Sequence, residues 1–226
     1  MSAGSRRMFR LPGVYPPQRD TWLLAEVLSH ELLTSTTRVL DICTGTGALG
    51  ISACRAGAHE VTAVDVSRRA LVTAWVNARL HRQALRLRRG DLIEPVRNEL
   101  FDVIVSNPPY VPAAGDRLPT GGSARGWDAG RDGRAVLDRI CVQAPEVLAD
   151  GGNLFIVQSA MSGIEKSMAM LEEQGLRAEV VRRIEHPFGP VLCARRAMLQ
   201  TRGVIRPDQR TEELVVIKAS RFPSQA

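Results

Sequence analysis

The chain has 226 residues, 44% of them hydrophobic, which is enough to bury the core of one α/β domain. No stretch approaches the ~20 apolar residues that cross a bilayer, and no apolar run follows the basic N-terminus, so neither a membrane span nor a secretory signal is predicted. We expect a cytoplasmic protein in which residues 14–220 form one domain between short tails at 1–13 and 221–226.

The net charge, the cysteines and the histidines identify no function, but the cysteines and histidines argue against two kinds of site. The net charge is +6, and all basic residues except Lys166 and Lys218 are arginines, scattered along the chain. This excess indicates either an RNA-rich or ribosomal neighbourhood or a biased coding composition. The four cysteines form no Cys-x-x-Cys pair and the four histidines have no ligand spacing, so neither a disulfide framework nor a metal site is predicted.

Hydrophobic periodicity alternates between strand and helix along the chain. Strands are predicted at 38–42, 60–64, 85–89, 101–106, 153–158, 178–184 and 213–217. Helices are predicted at 21–33, with Asp20 as N-cap, and at 48–56, 68–81, 133–148 and 163–174. This alternation predicts a parallel sheet with helices on both faces, and the last two strands, with no helix predicted between them, predict an antiparallel hairpin. Ligands of such sheets bind at the carboxyl ends of the strands.

A glycine turn follows the first predicted strand and opens the next helix. Gly45 and Gly47 permit positive φ and leave no Cβ in the way of a ligand, and the helix N-terminus presents free N–H groups. With Gly50 they satisfy Gly-x-Gly-x-x-Gly, so NAD binding is the first alternative. Asp41, four residues before Gly45, favours another class, because Asp-x-x-x-Gly-x-Gly resembles the first motif of Rossmann-like methyltransferases.

Two acidic residues follow the next two predicted strands. Asp65 lies about 20 residues past the glycines, where a carboxylate can accept both ribose hydroxyls of NAD or S-adenosylmethionine. It could also cap the helix that begins near residue 68, a role compatible with ribose binding. In methyltransferases an acidic residue at the position of Asp91 accepts a hydrogen bond from the adenine amino group. Without the other motifs, Asp91 would be interpreted only as a residue of a turn. The neighbouring candidates for cofactor binding are Thr44, Val66, Gly90 and Leu92.

The fourth strand ends directly in Asn107-Pro108-Pro109-Tyr110. The prolines fix φ and lack N–H groups, so this segment presents mainly hydrogen-bond acceptors. Asn107 Oδ1 and the Pro108 carbonyl could each accept one hydrogen of a planar amide or amino nitrogen, and Tyr110 could flank the planar group. The tetrapeptide therefore predicts methyl transfer to a planar nitrogen, with Asn107, Pro108 and Tyr110 as catalytic residues and all four as substrate-binding residues. Asn107 is predicted to contact the cofactor as well.

The glycine turn and the tetrapeptide together resemble the HemK/PrmC family, which methylates the Gly-Gly-Gln glutamine of translation release factors. Residues 14–24 are similar to the family's Pro-x-x-Asp-Thr segment, which implies that Asp20 and Thr21 help close over the cofactor. The resemblance implies S-adenosyl-L-methionine as methyl donor and S-adenosyl-L-homocysteine as product. It also implies a Rossmann-like class I fold, a seven-stranded, mostly parallel sheet with a C-terminal antiparallel hairpin.

Residues 127–134 are closer to the short eukaryotic and archaeal branch of that family, which works with a small activator subunit. Arg19 stands where that branch often has Glu, and the stretch 186–210 is longer than expected and has no predicted function. The glycine-rich loop at 112–132 is predicted to be a substrate lid beside Tyr110.

Two alternatives stay open on the sequence alone. N6-adenine and N2-guanine RNA methyltransferases share the Asn-Pro-Pro-Tyr tetrapeptide, and the basic charge is compatible with an RNA substrate. A non-catalytic module could also retain the fold, although the intact candidate residues argue against such decay.

Overall fold

The computed structural model describes residues 7–223, which fold around one seven-stranded sheet in the order β3-β2-β1-β4-β5-β7-β6. The strands are β1 Arg38–Ile42, β2 Glu60–Asp65, β3 Arg86–Arg89, β4 Phe101–Ser106, β5 Leu148–Ser159, β6 Arg177–Pro187 and β7 Thr211–Ser220. Strands β1 to β5 pair in parallel, and β7 pairs antiparallel with both β5 and β6. The predicted mostly parallel sheet with an antiparallel end is confirmed.

The helices are α1 Arg19–Leu28, α2 Ala48–Arg55, α3 Arg68–Leu80, α4 Leu137–Gln143, α5 Ile164–Glu173 and α6 Pro190–Thr201. Helix α1 begins two residues earlier than predicted, with Gln18 at the N-cap. The prediction that Asp20 caps this helix is therefore wrong: Asp20 lies in the first turn, and its carboxylate accepts a hydrogen bond from Tyr110.

Helix α6 corrects the prediction that no helix separates the last two strands. It lies between β6 and β7, which nevertheless pair from Arg177↔Ser220 to Pro187↔Thr211. The sequence pattern is weak because only two of its residues, Leu192 and Leu199, are buried. They pack with Ile205 in a small cluster separate from the main core, against one side of the loop that follows β4.

The two central strands are buried on both faces and so hold their carboxyl ends rigidly. Leu40 and Ile42 of β1 and Ile104 of β4 are fully buried. Helix α1, which carries the fully buried Leu23 and Leu24, packs on the neighbouring strand β5. Complete burial of one such side chain contributes about 1.5–3 kcal/mol, so the strands that end in the two predicted motifs are firmly anchored in the core.

The segment before α1, from residue 7 onward, is tied to α3 by hydrogen bonds. The Phe9 backbone N–H donates to Asn77 Oδ1 at 2.7 Å, and Asn77 Nδ2 donates to the Phe9 carbonyl at 3.0 Å. Residues 1–6 and 224–226, which fall in the predicted tails, lie outside the described residues. Within residues 7–223 no helix is both long enough and apolar enough to span a membrane.

Candidate active site

A cleft of about 340 Å³ lies at the carboxyl ends of the parallel strands. The half that we call the glycine-turn half is lined by residues of the turn at 43–49 and by residues at the ends of β2 and β3. The other half, the tetrapeptide half, is lined by residues 107–111 and by the start of α1. Predicted residues that line the cleft are Asp20, Thr21, Thr44, Gly45, Asp65, Val66, Gly90, Asp91, Leu92, Asn107, Pro108, Pro109 and Tyr110. Asp41 and Gly47, also predicted to bind cofactor, do not line it.

Asp41 lies behind the glycine turn and shapes it. Its Oδ2 accepts from the Thr44 hydroxyl at 2.6 Å and from the Gly50 backbone N–H at 2.9 Å. Burial raises the pKa of this carboxyl to about 7, an effect that these two hydrogen bonds partly oppose. Gly47, at the N-cap of α2, has a φ of +81°, and a Cβ there would lie 3.0 Å from the Ala74 side chain. Both residues form the turn from outside the cleft.

Asp65 closes the glycine-turn half at the end of β2. Its Oδ2 accepts from the Gly45 N–H at 3.0 Å and its Oδ1 from the Ser67 N–H at 2.8 Å. Helix α3 is capped by Ser67, which accepts from the Ala70 N–H, so the prediction that Asp65 could also cap this helix is wrong. Burial raises the pKa of Asp65. Each carboxylate oxygen retains a second lone pair with which it can accept from a hydroxyl group.

Two residues of this half hold strained backbone conformations. Cys43 has a φ of +61° and Leu92 a φ of +51°, although neither is glycine. Such conformations cost on the order of 1–3 kcal/mol each and persist where the surrounding structure holds them. Next to Leu92, Asp91 is already paired, because Arg139 Nη2 lies 2.7 Å from its Oδ2. The sequence offered no signal for Arg139, which lies 48 positions away on α4.

In the tetrapeptide half, the Asn107 side chain is oriented by α1. Asn107 Nδ2 donates to Thr21 Oγ1 at 2.9 Å. Because Thr21 accepts one of the two amide hydrogens, the side chain is held in one orientation, and Oδ1 is its acceptor atom for a ligand. Thr21 therefore contacts the tetrapeptide, a role that sequence reasoning did not assign to it.

Tyr110 is locked at both its hydroxyl and its backbone. Its phenol donates to Asp20 Oδ2 at 2.9 Å, and its carbonyl accepts from the Ser162 hydroxyl at 2.7 Å. Burial, reinforced by the negative charge of Asp20 and Glu212, raises the pKa of Tyr110 well above its usual value. The phenol therefore stays protonated at neutral pH and cannot act as a general base there.

Glu212 is a buried carboxyl near this group that sequence reasoning missed. It begins β7, is only 8% exposed, and its Oε2 has no hydrogen-bond partner among residues 7–223. Burial raises its pKa to about 7, opposed by a hydrogen bond from Ser159. No sequence signal separated Glu212 from the ordinary surface acids of an edge hairpin.

The base of the loop at 112–132 is fixed by α6. The backbone pairs across the base, with the Val111 N–H donating to the Trp127 carbonyl at 2.8 Å. Arg195 of α6 donates to the Pro112 carbonyl at 3.0 Å and pairs with Asp128. Seven residues later, Arg202 donates to the carbonyls of Ala113 and Arg131, both at 2.7 Å. Helix α6 thus holds both sides of the loop's base.

The tip of the loop reaches over the cleft. Leu118, Pro119 and Arg125 line the cleft, and the ring of Trp127 packs against Tyr15 with centroids 5.3 Å apart. The predicted position of this loop beside Tyr110 agrees with the structure, and its opening and closing as a lid stay a prediction.

Comparison with known proteins agrees with the motifs. The methyltransferase small domain family matches residues 6–119. A putative protein N5-glutamine methyltransferase of Methanocaldococcus jannaschii is 34% identical over 177 residues, which cover 78% of this chain and 88% of that protein. The release factor glutamine methyltransferase of Bordetella pertussis is 37% identical over 174 residues, covering 74% of this chain and 64% of the relative. The chain thus spans nearly all of the first relative but just under two thirds of the second.

Solved structures support the fold. The Mtq2-Trm112 complex of E. cuniculi, described as responsible for methylation of the termination factor eRF1, aligns with a TM-score of 0.63 at 24% identity, covering 92% of this chain and 99% of that chain. The T. thermophilus 16S rRNA N2 G1207 methyltransferase, solved with AdoMet and guanosine, aligns with a TM-score of 0.61 at 21% identity, covering 95% and 47%. Together with the motifs, these similarities show that the chain belongs to the methyltransferase small domain family and, within it, to the HemK/PrmC-type glutamine methyltransferases.

Proposed function

We propose that this chain transfers a methyl group from S-adenosyl-L-methionine to the side-chain amide nitrogen of a protein glutamine, the Gly-Gly-Gln glutamine of a translation release factor. The observation that carries the proposal is the 2.9 Å hydrogen bond from Asn107 Nδ2 to Thr21 Oγ1. This bond fixes the orientation of the Asn107 amide, so that its Oδ1 and the Pro108 carbonyl can serve as two acceptors. Two acceptors match the two hydrogens of a primary amide.

The glycine-turn half fits the cofactor by the chemistry of its residues. Asp65 has spare acceptor capacity for vicinal hydroxyls, and Val66 and Leu92 offer apolar surface to a flat base. Gly45, with a φ of +54°, has only one atom within 4 Å of where its Cβ would lie, so a ligand can approach the turn closely. Asp91 would accept from the base through the oxygen not paired with Arg139. When bound, S-adenosyl-L-methionine supplies an electrophilic sulfonium methyl group, and S-adenosyl-L-homocysteine remains as product.

The tetrapeptide half would activate the acceptor by orientation and charge stabilisation. Asn107 Oδ1 and the Pro108 carbonyl would each accept one N–H, which directs the nitrogen lone pair towards the glycine-turn half. The same two oxygens stabilise the positive charge that develops on nitrogen during attack, the kind of term worth about 10²–10³ in rate. Tyr110 holds its proton against Asp20, so the nitrogen would lose its proton to water after transfer.

Transfer of a labelled methyl group to a purified release factor tests the substrate directly. We expect label on the wild-type factor and none when the glutamine of its Gly-Gly-Gln sequence is changed to alanine. Equal labelling of both factors would overturn the glutamine proposal. Labelling only of RNA in a lysate would favour the remaining alternative, an N6-adenine or N2-guanine RNA methyltransferase. Such enzymes share the tetrapeptide, and the net positive charge of the chain is compatible with an RNA substrate.

A small activator subunit is a further part of the proposal, supported by the similarity to the Mtq2-Trm112 complex. Turnover by the purified chain alone, compared with turnover after addition of candidate small proteins from the same source, tests the need for one. Full activity of the isolated chain would contradict it. We place the reaction in the cytoplasm because release factors act there on the ribosome.

A further inference from the structure

The positive charge of this chain is concentrated in one segment of the fold. Between positions 68 and 89 there are seven arginines and no aspartate or glutamate. Since the whole chain has a net charge of +6, the remainder without these seven arginines has a net charge of −1. The net excess of positive charge therefore lies in α3, β3 and the turn between them, which carries Arg82.

These two elements meet at one edge of the sheet. Strand β3 is the terminal strand in the order β3-β2-β1-β4-β5-β7-β6, and α3 leads into it. The buried side of α3 is formed by small and polar residues such as Ala74 and Asn77. Its outward side carries Arg68, Val72, Trp75 and Arg79, at helical spacing on one exposed stripe.

Several of the arginines have no acidic partner to neutralise them. In the part of the chain that the structure describes, no ion pair forms at Arg68, Arg82 or Arg88. Arg79 instead stacks on the ring of Trp75, with its guanidinium carbon 5.2 Å from the ring centroid. Trp75 is 51% exposed, an unusual position for so large an aromatic side chain.

An edge strand often carries charges that block pairing with another sheet, which would explain arginines on β3 alone. It does not explain the arginines and exposed tryptophan of α3, which is not a strand. Unpaired arginines interleaved with an exposed aromatic ring match the chemistry of single-stranded nucleic acid, in which guanidinium groups contact phosphates and a base stacks on the ring.

We propose that the outward face of α3 together with β3 is an RNA-binding surface, separate from the cleft and able to hold the enzyme against single-stranded or looped RNA. None of Arg68, Trp75, Arg82 and Arg88 lines the cleft. The surface therefore anchors the enzyme near RNA while the methyl acceptor is bound elsewhere. The inference does not depend on which nitrogen is methylated.

The test uses the full chain and a fluorescein-labelled, mixed-sequence single-stranded RNA of 20 nucleotides, with anisotropy measured across a series of KCl concentrations. The triple variant Arg68→Ala, Arg82→Ala, Arg88→Ala is expected to bind at least tenfold more weakly at 100 mM KCl. The slope of log K against log salt should fall by about 2, since each phosphate contact on a single strand contributes about 0.7. Trp75→Ala should weaken binding about fivefold or more with little change in that slope.

A matched triple at the opposite end of the sheet removes the same charge: Arg177→Ala, Arg196→Ala, Arg206→Ala. It should bind RNA within about twofold of wild type, and equal weakening by both triples would overturn the proposal, because binding would then follow net charge alone.

Poly-L-glutamate is the second probe. If poly-L-glutamate binds the chain as tightly as RNA does, and Trp75→Ala weakens its affinity equally, the surface fits an acidic protein and the RNA proposal fails. Unchanged melting temperatures and cofactor affinity exclude misfolding as the cause.

Discussion

The glycine turn itself is shaped by residues close together in the sequence, whereas the tetrapeptide is held by residues far apart. Asp41 bonds to Thr44 and Gly50, three and nine positions away. In the other half, Asn107 and Thr21 are separated by 86 positions. A local network can form as soon as the strand and turn form, while the distant one requires the packed sheet and α1. Changes in the first half should affect stability and cofactor affinity, and changes in the second should affect methyl transfer.

The largest effect is expected for Asn107→Ala. It removes one of the two proposed acceptors, and transfer should fall by about 10²–10³ in kcat. Cofactor affinity, measured by titration calorimetry, should change less than about threefold. Full turnover of Asn107→Ala would disprove the mechanism.

Thr21→Val and Thr21→Ser test whether Thr21 orients Asn107. The valine variant should lose activity because Asn107 Nδ2 loses its acceptor, while the serine variant, which keeps the oxygen, should retain most of the activity.

Gly47→Ala should disrupt the packing of the glycine turn. The added Cβ meets Ala74 at 3.0 Å, and φ at this position is +81°, so we expect a loss of about 2–4 kcal/mol in the free energy of unfolding. Urea denaturation measures this loss, and cofactor affinity should fall with it. Gly121→Ala is the control, because no atom lies within 4 Å of where its Cβ would be. If Gly47→Ala were as stable as this control, close packing of the turn would not explain the glycine.

Glu212→Gln probes the buried carboxyl of the tetrapeptide half through pH. Burial raises the folded-state pKa of Glu212 to about 7, above its usual 4.5, so the folded state holds its proton over a range in which the unfolded state has lost it. Glu212 therefore makes the wild type less stable as the pH rises from about 5 to 7. The variant should gain about 1–3 kcal/mol relative to wild type between pH 5 and pH 8. Urea unfolding at both pH values measures the difference, and equal pH dependence of the two proteins would show that Glu212 does not titrate this way.

The smallest effect concerns Arg195 and the base of the loop. Arg195→Ala removes the contacts with the Pro112 carbonyl and Asp128, and we expect about a tenfold lower kcat/KM, expressed mainly as a higher KM for the protein acceptor. Arg196→Ala removes an exposed neighbour of the same charge and should be silent. Equal kinetics of the two variants would mean that α6 does not position the loop.

Sequence reasoning succeeded where the signal was local. The bounds of β1 and β4 were predicted to the residue, because each is a short apolar run that ends at a motif. It failed at α6, whose buried side has only Leu192 and Leu199, and at Asp20, which lies in the first turn of α1 and accepts a hydrogen bond from a residue 90 positions away. A pattern reports the environment of nearby residues and contains no information on which distant residue supplies a hydrogen-bond partner.

By itself, the sequence determined the fold class, the glycine turn, the candidate residues Asp65 and Asn107 and the resemblance to glutamine methyltransferases. These follow from backbone constraints and periodicity, which act within a few residues. Only the tertiary structure decided that Thr21 orients Asn107 and that α6 holds the loop. It also placed the arginine-rich segment 68–89 at one edge of the sheet. Those arrangements depend on strand order and helix packing, which bring together side chains that no spacing along the chain connects.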